Sequence, residues 1–497
     1  MDSSFAPFDL VIRGGTIVTA NGRFQGDIGV RGSTIARISD TLPSRPRGPR
    51  EQVRGRREID AQGKMITPGG VDPHVHLTCS DASDDDPGWV DDFESGSAAA
   101  LAGGVTTMGN MSFVLPWETL TERLRRESEQ AERQAIADVF LHPAVLSPHP
   151  AIIAELGPAA ARGITSLKFF MSLPSFDSAG GQFQLAMRAA GAAGSITLIH
   201  CEDSATIACC TTVLREKHER SLRHFPQSRP VLAEVIATER AISMCEATGA
   251  PTYIVHLSSA RALEACSAAR ARGLPVYVET RPLYLHLTSE HYDQDDGALY
   301  VAQPPLRQAR DRDALWAGLA NGAIDTIASD HAPWTRAMKM DPGLDLSRLR
   351  PGVAELETML PMLFSEGVLG GRISAERFVA VAATNAARLF GLYPRKGTIA
   401  VGSDADLVVW ETQHPRIIRG AEMHSRAGHT VYEGRELAAW PCTTIRRGEI
   451  VFEDGRVVGK AGSGQVLARG KTEAPTWESP SPEVAMTGAS LPAAVRR

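Results

Sequence analysis

His74 and His76 stand two residues apart in Asp72-Pro73-His74-Val75-His76, at the end of an apolar run. Alternation along a strand puts both imidazoles on one side, where they can share one ion. Other polar residues close apolar runs in the same manner: His200 in Ile199-His200-Cys201-Glu202, His256 in Tyr253-Ile254-Val255-His256, and Asp330 in Ser329-Asp330-His331. Lys168 sits inside Ser166-Leu167-Lys168-Phe169-Phe170-Met171. Each alone has an ordinary reading. A strand-end His is commonly a hydrogen-bonded structural residue. An Asp can cap the next helix, and a Lys between Leu and Phe can lay its stem on apolar surface with its amine in water. Together those readings fail, because four of the 14 His and one Asp close comparable runs, where chance would scatter them. The pattern reads as a metal site built on strand ends.

Strands must align those ends, and the chain supplies eight apolar candidates: 66–76, 105–111, 138–144, 166–171, 196–200, 252–256, 276–279 and 324–328. Helical periodicity separates several of them. In 230–248 the apolar positions include Val231, Val235, Ile242 and Cys245, with Pro230 at the start and Gly249 just past the end. Eight strand–helix units predict a (β/α)8 TIM-type barrel, whose C-terminal face is where such residues would meet. A doubly wound open sheet is the alternative, and it would not need eight strands.

The chain ends read differently. Short strand candidates at 9–12, 16–19, 27–30 and 34–38 are separated by Gly-Gly, Asn-Gly and Gly-Ser, which are hairpin signals. Residues 12–23 match 445–456 at seven of twelve positions. This predicts a small β-sandwich domain built from both ends, residues 1–65 and 395–468, with the barrel (66–394) inserted between them. The Arg-rich segment 43–57 reads as a solvated loop, and 469–497, rich in Pro, Ser and Ala, as a disordered tail.

Composition narrows the class. The chain has 497 residues, 43% hydrophobic and 22% charged, with a formal net charge of −6. That balance argues against a nucleic-acid or membrane-surface partner. No run approaches the roughly 18 apolar residues of a membrane span, and residues 1–15 carry no export-signal pattern. The seven Cys form no C-x-x-C pair, so a reduced, cytoplasmic setting is expected.

The sequence resembles the cyclic amidohydrolases, the group of hydantoinases, dihydropyrimidinases, allantoinases and dihydroorotases. The likeness runs from about residue 8 to residue 468 and is strongest to the hydantoinase and dihydropyrimidinase branch. It rests on Gly69-Gly70-Val71-Asp72-Pro73-His74-Val75-His76, the Lys168 run, Ile254-Val255-His256-Leu257-Ser258-Ser259 and Glu279-Thr280-Arg281-Pro282-Leu283-Tyr284-Leu285. Pro304-Pro305-Leu306-Arg307, Ser329-Asp330-His331-Ala332-Pro333 and the stretch from Gly391 to Leu407 extend it.

That resemblance implies a small-molecule hydrolase with two divalent ions about 3.5–4 Å apart. His74, His76 and Asp330 would hold the first ion and His200 and His256 the second. Lys168, carboxylated by CO2, would bridge both. Zinc is the first expectation, with Mn, Co or Ni also compatible with these ligands. The ions would activate water and polarise a carbonyl of a cyclic amide, imide or ureide, while Asp330 carries the proton to the leaving nitrogen. A linear amide, carbamate or lactone is the alternative substrate. A non-catalytic scaffold of this fold is disfavoured because all six ligand positions are filled. A homotetramer or homodimer is implied as well.

The resemblance weakens at the substrate. Where hydantoinases carry a Tyr five residues after the bridging Lys, which helps stabilise the oxyanion, this chain has Leu173. The Ser expected before Pro-Pro-Leu-Arg is Gln303, and an Asn expected before a Pro-Gly turn falls near Arg348. Recognition of a bulkier or more hydrophobic substrate is the expectation.

Overall fold

The computed structural model describes residues 8–40, 55–77, 88–346 and 348–475. Most of the Arg-rich segment 43–57 and residues 476–497 of the tail expected over 469–497 lie outside the described residues; the tail's start is instead packed on the barrel, with buried Arg469 donating to the Leu141 carbonyl at 2.9 Å and to Ser166 Oγ at 2.7 Å.

Eight parallel strands follow one another around a barrel in chain order. They are β1 (Gly70–Val75), β2 (Val105–Val114), β3 (Asp138–Val145), β4 (Ser166–Phe170), β5 (Ile196–His200), β6 (Thr252–Ile254), β7 (Val276–Thr280) and β8 (Thr326–Ile327). Their nearly continuous burial is what parallel strands covered on both faces require. A bridge from Val75 to His331 and a bond from the His76 N–H to the His331 carbonyl (2.8 Å) join β1 to the end of β8. The open-sheet alternative is thereby excluded. The helix expected over 230–248 spans Val231–Thr248 and stops at Gly249, whose φ of 70° a residue with a Cβ would adopt only under strain.

The chain ends form one continuous nine-stranded sheet. Strands Phe8–Thr19, Gly22–Arg31 and Thr34–Asp40 lie at one end, and Leu407–Glu411, Trp440–Arg446 and Glu449–Glu453 toward the other. Both halves contribute to a shared core that includes Ile12, Ile17, Ile28, Val409 and Ile445. Two local expectations are corrected. Gly14-Gly15 is not a turn but a bulge inside the strand Phe8–Thr19, with φ of 66° at Gly14. The bulge lets the first half of that strand pair with Gly55–Asp60 and the second with Met65–Pro68. In the matching C-terminal segment the same spacing makes a true two-residue hairpin, with positive φ at Arg447 (47°) and Gly448 (80°).

The run 66–76 also divides. Met65–Pro68 belongs to the terminal sheet and Gly70–Val75 to the barrel. Gly69 is the pivot: its N–H donates to the Asp406 carbonyl at 2.9 Å, and an added Cβ would lie 2.2 Å from Thr106 Oγ1. Buried Lys396 joins the two units, reaching Asp138 of β3 (2.6 Å), Asp406 (2.8 Å) and Asp404 (3.0 Å).

Candidate metal centre

The C-terminal ends of the strands converge on one point. Nε2 of His74 and Nε2 of His76 are 3.3 Å apart, and Oδ1 of Asp330 lies 3.2 Å from the first and 3.1 Å from the second. A tetrahedral ion with bonds of about 2.0–2.1 Å spaces its donors about 3.3–3.4 Å apart, so this triangle has the size of one coordination face. Among the described residues these three form the one group of that kind. Beside it, Nδ1 of His200 faces Nε2 of His256 at 3.0 Å, and the His74 and His256 rings stack at 5.5 Å. The Lys168 amine is 3.5 Å from His74 Nε2 and 4.9 Å from the Phe170 ring centre.

Neighbouring groups fix the ring orientations. Nδ1 of His74 donates to Glu279 Oε1 at 2.8 Å, which turns the Nε2 lone pair toward Asp330. Nε2 of His200 donates to Glu202 at 2.9 Å, and Arg229 holds that carboxylate in turn. Burial lowers all four imidazoles below their ordinary value and so favours the neutral form that can ligate. His256 (φ 38°) and Asp330 (φ 47°) adopt left-handed conformations that non-glycine residues seldom take. Specific bonds hold both in place. The His256 N–H donates to Glu279 at 2.8 Å, and Arg281 donates to Asp330 at 2.6 Å.

Lys168 is fully buried, and among the described residues no carboxylate bonds its amine. Burial pulls its ammonium down to about 8, against the pull of Glu279 and Asp330. Asp330 is held well below the usual carboxylate range: burial opposes this, and Arg281 and His74 outweigh it.

A cavity of about 300 Å³ opens over the histidines. One wall is aromatic: Trp89 meets Phe113 at 5.9 Å between ring centres, and Phe113 stacks on Phe170 at 5.6 Å. Leu146 and Leu173 extend the apolar surface, while Ser172 and Gln303 are the polar side chains beyond the His/Asp set. Leu173 and Gln303, the two candidate substrate contacts, both line this cavity. Arg348 does not: it is exposed and outside the lining, and Pro351 and Gly352 border the cavity instead. His142 bonds to Ser166 Oγ at 2.7 Å and lies edge-on to Phe140 and Phe390, away from the cavity.

Sequence reasoning missed two groups. Glu279 and Arg281, quoted from the sequence only as part of a motif and given no role, stand at the end of β7, where the rule used for the other strand ends applied as well. Phe113 was missed because β2 runs past the expected stop at residue 111 to Val114.

The amidohydrolase family profile matches residues 65–451. A D-hydantoinase of Ralstonia pickettii is 35% identical over 471 residues, covering 93% of this chain and 99% of that protein. The solved structure of a D-hydantoinase (dihydropyrimidinase) from Thermus sp. superposes with a TM-score of 0.86 at 34% identity, covering 93% and 99% of the two chains. An L-hydantoinase (dihydropyrimidinase) from Arthrobacter aurescens superposes at 0.84 and 29% identity, covering 93% and 100%.

Proposed function

The chain belongs to the amidohydrolase family, in its hydantoinase and dihydropyrimidinase branch, and we infer that it is a metal-dependent hydrolase of cyclic amide C–N bonds whose pocket takes a bulky apolar substituent. The observation that carries this is the His74–His76–Asp330 triangle set against an aromatic wall.

His74, His76 and Asp330 would hold one divalent ion, and His200 with His256 a second. When bound, such ions polarise a carbonyl oxygen and lower the pKa of water toward neutrality. Zinc suits imidazole with carboxylate, and Mn, Co or Ni fit the same donors. The His200–His256 pair lacks an oxygen ligand of its own. Lys168 would supply it as a carbamate, the adduct of its neutral amine with CO2 after loss of one proton, which would add a carboxylate to the ligand set. Burial, by weakening the ammonium, favours that reaction.

Asp330 would accept the proton of the attacking water and pass it to the leaving ring nitrogen. Trp89, Phe113 and Phe170 exclude bulk water and offer a flat surface for a substituent. Ser172 and Gln303 remain to bond the ring. Among the described residues no Lys or Arg lines the cavity, so an acidic substituent held away from the ions would find no cationic side chain there. Leu173 offers no hydroxyl to a developing oxyanion, and a donor of that kind is worth roughly 2.7–4 kcal/mol. A neutral, arylated or alkylated ring, anchored by packing, fits this pocket better than a small bare one.

A homodimer or homotetramer is the assembly the resemblance implies. Among the described residues no helix is long and apolar enough to cross a membrane. The described cysteines are all free, which suits the reducing cytoplasm.

Elemental analysis of protein purified without chelator should find about two divalent ions per chain. A panel of 5-aryl and 5-alkyl hydantoins, dihydrouracil, allantoin and linear N-acyl compounds should show turnover favouring the substituted rings. Folded protein that binds no metal, or turnover confined to linear compounds, overturns the reading. Labelled bicarbonate should give a carbamate resonance that Lys168→Ala abolishes.

A further inference from the structure

Arg281 bonds a metal ligand yet neither ligates nor lines the cavity. It follows β7, is fully buried, and stands with its guanidinium between two carboxylates. Nη1 donates to Oδ2 of Asp330 at 2.6 Å, while Nε and Nη2 donate to Oε2 of Glu355 at 2.9 and 2.6 Å. The other oxygen of Glu355 accepts the Tyr432 hydroxyl at 2.5 Å. The Glu355 N–H donates at 3.2 Å to Nδ1 of His331, the residue after Asp330.

A carboxylate on an aspartate turns easily about its last torsion, which is broad and two-fold. Here Oδ1 faces both His74 and His76, and Oδ2 is held from the opposite side by Arg281. A planar guanidinium fork bonds two carboxylates in fixed directions, whereas an ammonium's three rotatable donors fix the orientation of neither. Glu355 and Tyr432 in turn keep the fork from rotating away. Resting on the reading of Asp330 as proton carrier, we propose that Arg281 is a positioning residue of the reaction: through the Arg281–Glu355–Tyr432 chain it holds Oδ2 of Asp330 and so locks the carboxylate in the single orientation that points Oδ1 at the two histidines.

The test uses full-length protein loaded with cobalt(II), whose visible absorption reports ligand geometry independently of turnover. Arg281→Met should bind as much cobalt as the wild type, with a shifted or broadened band. Its kcat should fall about a hundredfold, the scale of an ångström-level misplacement, with KM nearly unchanged. Arg281→Lys should lie between the two. In Arg281→Ala, added guanidinium should recover part of the lost kcat, and it should not help the wild type. An unchanged band and kcat in Arg281→Met overturns the proposal. Cobalt lost in proportion to activity overturns it too, since Arg281 would then maintain the metal site rather than orient the carboxylate. Should the Arg281 variants fail to fold, Tyr432→Phe loosens only the far end of the chain; it should shift the band and lower kcat severalfold, and no change in either overturns the proposal. A wild-type protein inert toward every cyclic amide would defeat the proposed function instead, while the cobalt band would still report on the clamp.

Discussion

Nε2 of His200 lies 2.9 Å from Oε2 of Glu202, and the opposite ring nitrogen lies 3.0 Å from Nε2 of His256. One carboxylate therefore decides which nitrogen of His200 can face an ion. Burial would raise the Glu202 carboxyl, but Arg229 and His200 outweigh it and bring it down to about 2, so it stays an acceptor across the working pH range. Glu202→Ala is expected to weaken binding of one of the two ions about 10–100-fold while the other is retained. A competitive metal titration would read this as loss of one ion's affinity. Equal loss of both ions would contradict the assignment of His200 to a separate ion.

Leu173 faces the cavity where a phenol would supply a donor. Leu173→Tyr is expected to raise kcat/KM on dihydrouracil or unsubstituted hydantoin by about ten- to a hundredfold, within what one such donor can supply. The same change should lower kcat/KM on 5-aryl rings, because the phenol takes up apolar space. Steady-state kinetics on the two substrate classes would show opposite signs; a parallel loss on both would mean that another group already stabilises the oxyanion.

Lys396 couples the barrel to the terminal sheet and gives stability a pH signature. Burial opposes its ammonium, but Asp406, Asp138 and Asp404 outweigh it and raise it to about 12 from 10.5. Because the folded value is the higher one, this contribution is complete below about pH 10.5 and is lost as pH rises through about 12. Lys396→Met removes the cation that three buried carboxylates share, although Asp138 keeps Arg447 and Asp404 keeps Arg395, and should cost about 3 kcal/mol at neutral pH. Urea unfolding followed from pH 8 upward should show a decline in the wild type that is flattened in the variant.

Gly69 passes the chain from one sheet to the other at close quarters. Gly69→Ala would drive its Cβ into Thr106, whose Oγ1 also bonds Asp406 at 2.9 Å. The expected cost is about 1–3 kcal/mol from overpacking, and Thr106→Ala in the same chain should recover part of it. Equilibrium unfolding of the two single variants and the double variant would measure the coupling; strict additivity would mean that the two residues do not press on each other.

Much of this site is legible in one dimension because its signals are local. His74 and His76 advertise a shared face through their spacing, and His200, His256 and Asp330 through the apolar runs they follow. The repeated Ile-Arg-x-Gly segment correctly joins the chain ends into one sheet. Yet the identical spacing is a bulge at Gly14 and a hairpin turn at Arg447-Gly448, because the strands available to pair with each segment differ. Arg348 misled for a related reason: in the loop that carries it, packing brings Pro351 and Gly352 to the cavity and leaves Arg348 in solvent.

By itself, then, the sequence determined which residue types reach the ends of the barrel strands, since strand period and apolar length are written within a few residues. Tertiary structure alone decided what those residues meet. Arg281 is 49 positions from Asp330 and 74 from Glu355, and Leu173 becomes part of an apolar wall only beside Phe113 and Phe170. Such pairings depend on how distant segments pack around a closed barrel, and no local pattern encodes that distance.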